Sequence, residues 1–246
     1  MTTTFSEQQY DLAYPDGIEF HWWTMARSHI VADTIVRHAP ADAPVLEVGC
    51  GRGVAVTNLL RLGVAAFGVE LAAVKPLSDV ANYVKTSLDA VSLPENERAQ
   101  YQTLLLLDVI EHMPDPAGFI RSLTEVFPNV ALLIVTVPAG QKLWSNYDEF
   151  YGHHRRYSLE MLEQLAESLN CEMLQGAYFF HAPYLPARLL AMLGKKRQTR
   201  ITAPRAWQVR LHRMMAIIFK IEYAILPKTI KGTSAIACYK LADRTT

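Results

Sequence analysis

The stretch that most constrains this chain is Val45-Leu46-Glu47-Val48-Gly49-Cys50-Gly51-Arg52-Gly53. A short apolar run of β character leads through an acid, Glu47, into three glycines at alternate positions. A helical pattern follows from Val54 to Leu62, and then a second apolar run, Ala65 to Val69, that ends in Glu70. Strand, glycine loop, helix, strand and terminal acid together make a unit suited to holding a nucleoside, with the second acid placed to accept ribose hydroxyls. Glycines let the backbone turn sharply and approach a ligand with no Cβ in the way. The spacing is G-x-G-x-G. A dinucleotide fingerprint, G-x-G-x-x-G, would set its third glycine one residue later, where Val54 stands.

Around this unit, strands alternate with helices, which points to an open α/β sheet. Phe20 to His38 has helical spacing, and Pro40 and Pro44 end it. Thr103 to Ile110 is almost wholly apolar, as expected of a parallel strand buried on both faces. Ser158 is placed to cap a helix running to about Asn170. Tyr10 to Gly17 is expected to be an irregular lead-in, Ala139 to Tyr157 a polar, aromatic loop, and Thr233 to Leu241 a strand at a sheet edge. With 246 residues, half of them apolar, the chain can bury one large core. A single domain over 1–246 is expected, with a lead helix at 20–40, a binding core at 45–180, a basic helical insertion at 181–232 and a last strand at 233–242.

Net charge is zero, but Pro186 to Lys220 carries nine Lys or Arg residues and no Asp or Glu. Such a block meets an acidic substrate or an anionic membrane surface, or it simply solvates a helical face. It lacks the interleaved stacking aromatics of a nucleic-acid motif, so no nucleic-acid partner is expected. Cys50, Cys171 and Cys238 form no paired or metal-like spacing, which suits a reducing compartment. The polar amino terminus has no signal-peptide core, and the apolar segment Met214 to Pro227 is interrupted by Lys220 and Glu222. A cytoplasmic protein is expected, with peripheral contact at the inner face of the membrane through the basic stretch. No metal is expected: His153 and His154 are adjacent, project in different directions, and lack a matching Cys or acidic cluster.

The G-x-G-x-G loop with Glu47 before it resembles motif I of class I S-adenosylmethionine (SAM) methyltransferases. Asp108-Val109-Ile110-Glu111-His112, at the end of the apolar fourth run, resembles the D-V-x-E-H motif of the methyltransferase type 11/12 group, which ubiquinone-pathway O-methyltransferases share. His21-Trp22-Trp23 with Arg27 resembles the H-W-W-x-x-x-R lead helix of many bacterial members. Leu143-Trp144-Ser145 with Asp148, and Gly152-His153-His154-Arg155-Arg156-Tyr157-Ser158, are similar to a narrower subgroup often linked with glycan and lipid-linked sugar synthesis. The resemblance covers about residues 20 to 180 and the final strand. It implies a doubly wound, mostly parallel seven-stranded sheet with a helical insertion before the last strand, SAM as cofactor and S-adenosylhomocysteine (SAH) as product.

Residue by residue, the resemblance runs Glu47, Gly49, Gly51 and Gly53 past the methionine half of SAM and sets Glu70, with Leu71 beside it, on the ribose. Asp108 either receives the ammonium or caps the following helix. Arg27 is a candidate for the SAM carboxylate. Many members place an acid immediately after the third strand for the adenine amino group. Here Thr86-Ser87-Leu88-Asp89 stands there, so Ser87, the Leu88 backbone or Asp89 is left to serve. His112 and His153 are candidate general bases, since imidazole titrates near neutral pH; His112 can equally orient the loop before Pro114. Tyr147, Asp148, His154, Arg155, Arg156 and Tyr157 are candidates for the acceptor. The two arginines either clamp a phosphate or carboxylate or pair with Asp148 or Glu149. The expected reaction is O-methylation of a small-molecule or lipid-linked acceptor: a saccharide or lipid-linked sugar first, a quinone-type or other small aromatic second. A SAM-binding partner protein without turnover is the remaining alternative.

Overall fold

The computed structural model describes residues 5–242. Two helices, α1 (Glu7–Ala13) and α2 (Trp22–His38), precede the sheet. The glycine unit forms β1 (Val45–Val48), α3 (Val54–Arg61) and β2 (Ala66–Val69). The alternation continues through β3 (Val84–Lys85), the short α4 (Glu95–Arg98), β4 (Thr103–Leu107), α5 (Pro116–Val126) and β5 (Leu132–Pro138). Then follow α6 (Asn146–Phe150), α7 (Leu159–Ser168), β6 (Glu172–Phe179), α8 (Tyr184–Met192), α9 (Val209–Ile225) and β7 (Ser234–Lys240).

The strands form one seven-stranded sheet in the order β3-β2-β1-β4-β5-β7-β6. The first five are parallel, and β7 runs antiparallel to both of its neighbours. Strand order reverses between β1 and β4, and in open α/β sheets ligands bind beyond the strand carboxyl ends at such a switch point. All of β4 is buried. Apolar layers cover both faces: side chains of α2, α3 and α9 on one, of α5 and α7 on the other.

Two expectations are corrected. The final strand does not lie at the edge: β7 is inserted between β5 and β6 and is buried except at Lys240, leaving β6 outermost. Its alternation serves two covered faces, with Ile236 and Cys238 in one apolar layer and Ala235, Ala237 and Tyr239 in the other. Nor is the lead-in irregular. Ser6 caps α1 by accepting from the Gln9 N–H, and the Gln9 side chain accepts from the Ser6 N–H, a capping box that satisfies otherwise orphaned donors. The helix ends before the left-handed turn at Gly17.

The stretch from 139 to 157 likewise contains helix α6, capped by Ser145 with Asp148 three residues on. Between β6 and β7, α9 packs its inner side on α2: Trp22 stacks on Phe219 with ring centroids 4.7 Å apart, and Lys220 pairs with Asp33 at 3.2 Å. Glu222 accepts from the His181 and Ala182 backbone N–H groups at the end of β6. Both charges that interrupt the apolar run therefore have partners. Among the described residues, no helix is long and apolar enough to cross a membrane.

Candidate functional site

Two cavities lie at the carboxyl ends of the central strands and meet at Phe5, Tyr14, Asp108 and His112. The larger, about 450 Å³, is lined by Gly49, Glu70, Leu71, Leu88 and Asp89. The smaller, about 140 Å³, is lined by Trp23, Arg27, Glu111, Tyr147, Tyr151 and His153. Phe5 and Tyr14, which flank α1, line both.

In the larger cavity, Glu70 ends β2 with its carboxylate fixed. It accepts from the Gly51 N–H at 2.8 Å, the Ala72 N–H at 2.9 Å and the Tyr10 hydroxyl at 2.9 Å. Of the three motif glycines only Gly49 lines the cavity. Gly51, at φ +55°, lies under the Tyr14 ring, which a Cβ would meet at 2.7 Å. Gly53, at φ +81°, lies against Val84, again 2.7 Å from where a Cβ would be. These two glycines let α1 and β3 close on the loop, and Gly51 also presents its amide to Glu70. On the adenine side, Leu88 and Asp89 face the cavity, while Ser87 is exposed and lines neither cavity.

Glu47 also lines neither cavity. It is buried behind the loop, and one carboxyl oxygen has no hydrogen-bond partner. Burial pushes its pKa up to about 8, against the opposing pull of Arg27, so it is mostly protonated at neutral pH. Of the four motif residues expected beside the methionine half of SAM, Glu47, Gly51 and Gly53 thus line neither cavity, while Gly49 does. At the junction of the cavities, Asp108 adopts φ +57°, forms an ion pair with Arg27 and accepts from the Thr136 hydroxyl. The Arg27 guanidinium also lies over the Trp23 ring, 4.4 Å from its centroid.

The smaller cavity is organised around Asp148. Its buried carboxylate accepts from the Ser145 N–H and hydroxyl, from Arg156 Nε at 2.7 Å and from His153 Nδ1 at 2.9 Å. Burial alone would raise the Asp148 pKa, but the His153 hydrogen bond and the Arg156 charge hold it at about 2. The His153 ring meets His112 edge-on, centroids 4.7 Å apart. Desolvation, with His153 adding to it, lowers the His112 pKa to about 3, so that ring is neutral. Glu111 is almost fully buried beside them; burial first, then the Asp108 charge, raises its pKa well above the usual carboxylate range.

His154, Arg155, Arg156 and Tyr157 line neither cavity. His154 is exposed, with its backbone N–H donated to the Glu111 carbonyl. Arg155 donates to the Met113 and Pro114 carbonyls, Arg156 to Asp148 and the Ala139 carbonyl, and the buried Tyr157 hydroxyl to the Ile110 carbonyl. These side chains tie the loop to the sheet. Tyr147 does line the cavity, and its hydroxyl is pushed upward in pKa by burial.

Several lining residues were not singled out from the sequence. Tyr10 lies in α1 and Phe5 and Tyr14 flank it, and the capping box Ser6-x-x-Gln9 was the available signal. Ile201 reaches the smaller cavity from the insertion, where its N–H donates to the Leu12 carbonyl. The same segment covers α6, with the Tyr151 hydroxyl donating to the Thr199 carbonyl and Arg197 lying over Tyr147. No local pattern marks those contacts.

Comparison with known proteins agrees with this architecture. Residues 23–175 match the family model described as a methyltransferase domain. Among curated relatives, a ubiquinone biosynthesis O-methyltransferase of Albidiferax ferrireducens is 25% identical over 141 residues, 50% of this chain and 55% of that protein. One from Yersinia enterocolitica is 30% identical over 112 residues, 42% and 46% of the two chains. The chain spans about half the length of the first of these. The solved structure of the plantazolicin methyltransferase BpumL, with a desmethylplantazolicin analogue and SAH, superposes over 96% of this chain and 88% of its own, with a TM-score of 0.54 at 12% identity. That likeness is one of fold. With a family match over most of its length and this sheet order, the chain belongs to the methyltransferase-domain family.

Proposed function

We propose that the chain transfers the SAM methyl group to a hydroxyl oxygen of a small ring-bearing acceptor. The observation that carries this is the joining of two cavities at Asp108 and His112, one holding a strand-end acid suited to ribose, the other an Asp148-oriented imidazole. The larger cavity fits the nucleoside of SAM. Glu70 would hold the ribose, a ribose hydroxyl taking the place of the Tyr10 hydroxyl, and Leu88 and Asp89 would flank the adenine. Asp108 and Arg27 mark the methionine end. SAM supplies an activated sulfonium methyl group, so the protein's part is chiefly positioning. The Asp148 carboxylate accepts a hydrogen bond from His153 Nδ1–H, fixing the tautomer that leaves the Nε2 lone pair toward the smaller cavity to accept the acceptor's proton.

Two acceptor classes have specific support. The aromatic lining of Trp23, Tyr147 and Tyr151, together with the curated relatives, favours a quinone-type phenol. The loop resembling a glycan-linked subgroup favours a saccharide, free or lipid-linked. A lipid tail is compatible with both. Helices α8 and α9 expose Leu185, Leu189, Met192, Met214, Ile218 and Ile221, with Trp207 between them and Arg210 and Arg213 alongside. An apolar face flanked by cations fits an anionic membrane surface, each Lys or Arg contributing about 1 kcal/mol there.

A SAM-consumption screen across prenylated phenols, quinols, free sugars and lipid-linked sugars tests the assignment. Turnover with one class is expected; tight SAM binding without turnover on any would favour a partner protein instead. Co-sedimentation with vesicles should show salt-sensitive binding to anionic and not neutral lipid. No binding to anionic vesicles at low salt would remove the membrane contact.

A further inference from the structure

The segment between α8 and α9 carries Lys195, Lys196, Arg197 and Arg200 within six residues and no acid among them. Among the described residues, none of the four forms an ion pair, whereas Arg27, Arg156 and Lys220 each have a carboxylate. All four are exposed. Yet the backbone that bears them is fastened along its length. The Lys195 N–H donates to the Leu190 carbonyl and closes α8. Asn146, the first residue of α6, holds the Arg197 backbone from both sides, accepting from its N–H at 2.8 Å and donating to its carbonyl at 3.0 Å. The Tyr151 hydroxyl donates to the Thr199 carbonyl at 2.8 Å, and the Ile201 N–H to the Leu12 carbonyl at 3.1 Å.

These ties set the cations beside the smaller cavity. Tyr147, Tyr151 and Ile201 line it, and the Arg197 guanidinium lies over the Tyr147 ring, 4.8 Å from its centroid. A guanidinium resting on an aromatic face keeps its N–H donors for an oxyanion. A carboxylate balances one cation. Four cations within six residues match a group with more than one negative charge, as a phosphate ester or a diphosphate has. The segment also follows directly on the exposed Leu189, Leu190, Met192 and Leu193 at the end of α8. An aromatic-lined cavity, a cluster of cations and an apolar surface thus adjoin one another. A sugar joined to a lipid through phosphate presents groups in that same order; an uncharged prenylated phenol has nothing for the middle one.

We propose that the acceptor carries a phosphate or diphosphate group and that Arg197 binds it, with the charges of Lys195, Lys196 and Arg200 alongside. The inference rests on the O-methyltransferase reading above and deepens it, selecting a phosphate-linked saccharide over a quinone-type phenol. Arg197 acts on acceptor binding and leaves the reacting oxygen to the cavity. A phospholipid headgroup offers the same phosphate chemistry, and the test separates the two sources.

The test is calorimetric titration of the SAH-loaded protein with geranyl diphosphate, and with geraniol as the uncharged counterpart. Geranyl diphosphate should bind at least about tenfold more tightly than geraniol. Arg197→Met keeps an apolar stem over Tyr147 and removes the charge; it should weaken geranyl diphosphate binding by about tenfold or more, while SAM affinity and the circular dichroism spectrum stay as in the wild type. Arg197→Lys should recover part of the loss. Co-sedimentation of Arg197→Met with anionic vesicles should match the wild type, since Arg210 and Arg213 on α9 remain for that contact. Should geranyl diphosphate bind no better than geraniol, or equally well to wild type and Arg197→Met, the phosphate site is overturned. It is overturned as well if Arg197→Met loses vesicle binding and keeps geranyl diphosphate binding, because the segment then meets headgroups. Failure of the wild-type protein to bind SAM would instead overturn the methyltransferase reading. The Arg197 side chain is exposed and its backbone ties to Asn146 survive substitution, so both variants are expected to fold.

Discussion

The two cavities are assembled in opposite ways. The larger draws most of its polar wall from one stretch of chain, Gly49 through Asp89, in which each functional residue stands at a strand end or the adjoining turn. The smaller takes Trp23 and Arg27 from α2, Glu111 and His112 from the turn after β4, Tyr147 and Tyr151 from the region of α6, His153 from the following loop and Ile201 from the insertion. A nucleoside site on this sheet needs only local geometry. An acceptor site needs elements from across the chain to converge, so it can vary while the sheet stays the same.

The largest expected effect on that contrast lies at Glu70. Glu70→Ala removes the ribose acceptor and also releases the Gly51 and Ala72 amides, and should weaken SAM binding roughly a hundredfold, or about 2.7 kcal/mol. Calorimetry on the folded variant is the check. Wild-type affinity would break the assignment of the larger cavity to the nucleoside.

Glu47 sharpens the boundary between binding and support. Its pKa rises on folding from an ordinary 4.5 to about 8. Between those values the folded state keeps a proton that the unfolded chain releases, so this residue's contribution to stability is full below pH 4.5 and is lost as pH rises toward 8. Glu47→Gln removes that slope. The variant should match the wild type near pH 4.5 and exceed its stability by up to about 4 kcal/mol near pH 8, with SAM affinity changed by less than about threefold. Denaturant titrations at the two pH values, paired with calorimetry, measure both. A large loss of SAM affinity would return Glu47 to the cofactor site.

Arg155 tests the acceptor half, and the expected effect is the smallest. Because it donates to the Met113 and Pro114 carbonyls, Arg155→Ala should cost about 1 kcal/mol of stability. The acceptor KM should move by less than about threefold. A large rise in KM at unchanged stability would place the guanidinium on the acceptor after all.

The parallel sheet, the buried fourth strand, the glycine turn and the acid ending β2 were legible because each follows from residues close in sequence. Backbone periodicity decides which side chains are buried, and strand-end position decides which face the crevice. The place of β7 was not legible: alternation marks two faces, and only the helices covering both of them distinguish an inner strand from an edge. The polar loop behaved in the same way. Two neighbouring histidines gave no metal spacing along the chain, yet the fold turns His154 outward and brings His153 against Glu111 and His112. Arg155 and Arg156 were left between clamping an anion and pairing with Asp148 or Glu149, and packing gives Arg156 to Asp148 and Arg155 to the Met113 and Pro114 carbonyls. The sequence by itself determined the parallel strands and the wall of the larger cavity, because local periodicity and turn chemistry are properties of contiguous residues. Tertiary structure alone decided which loop side chains line the smaller cavity, because a buried donor or acceptor binds whichever partner packing brings to it, however distant along the chain.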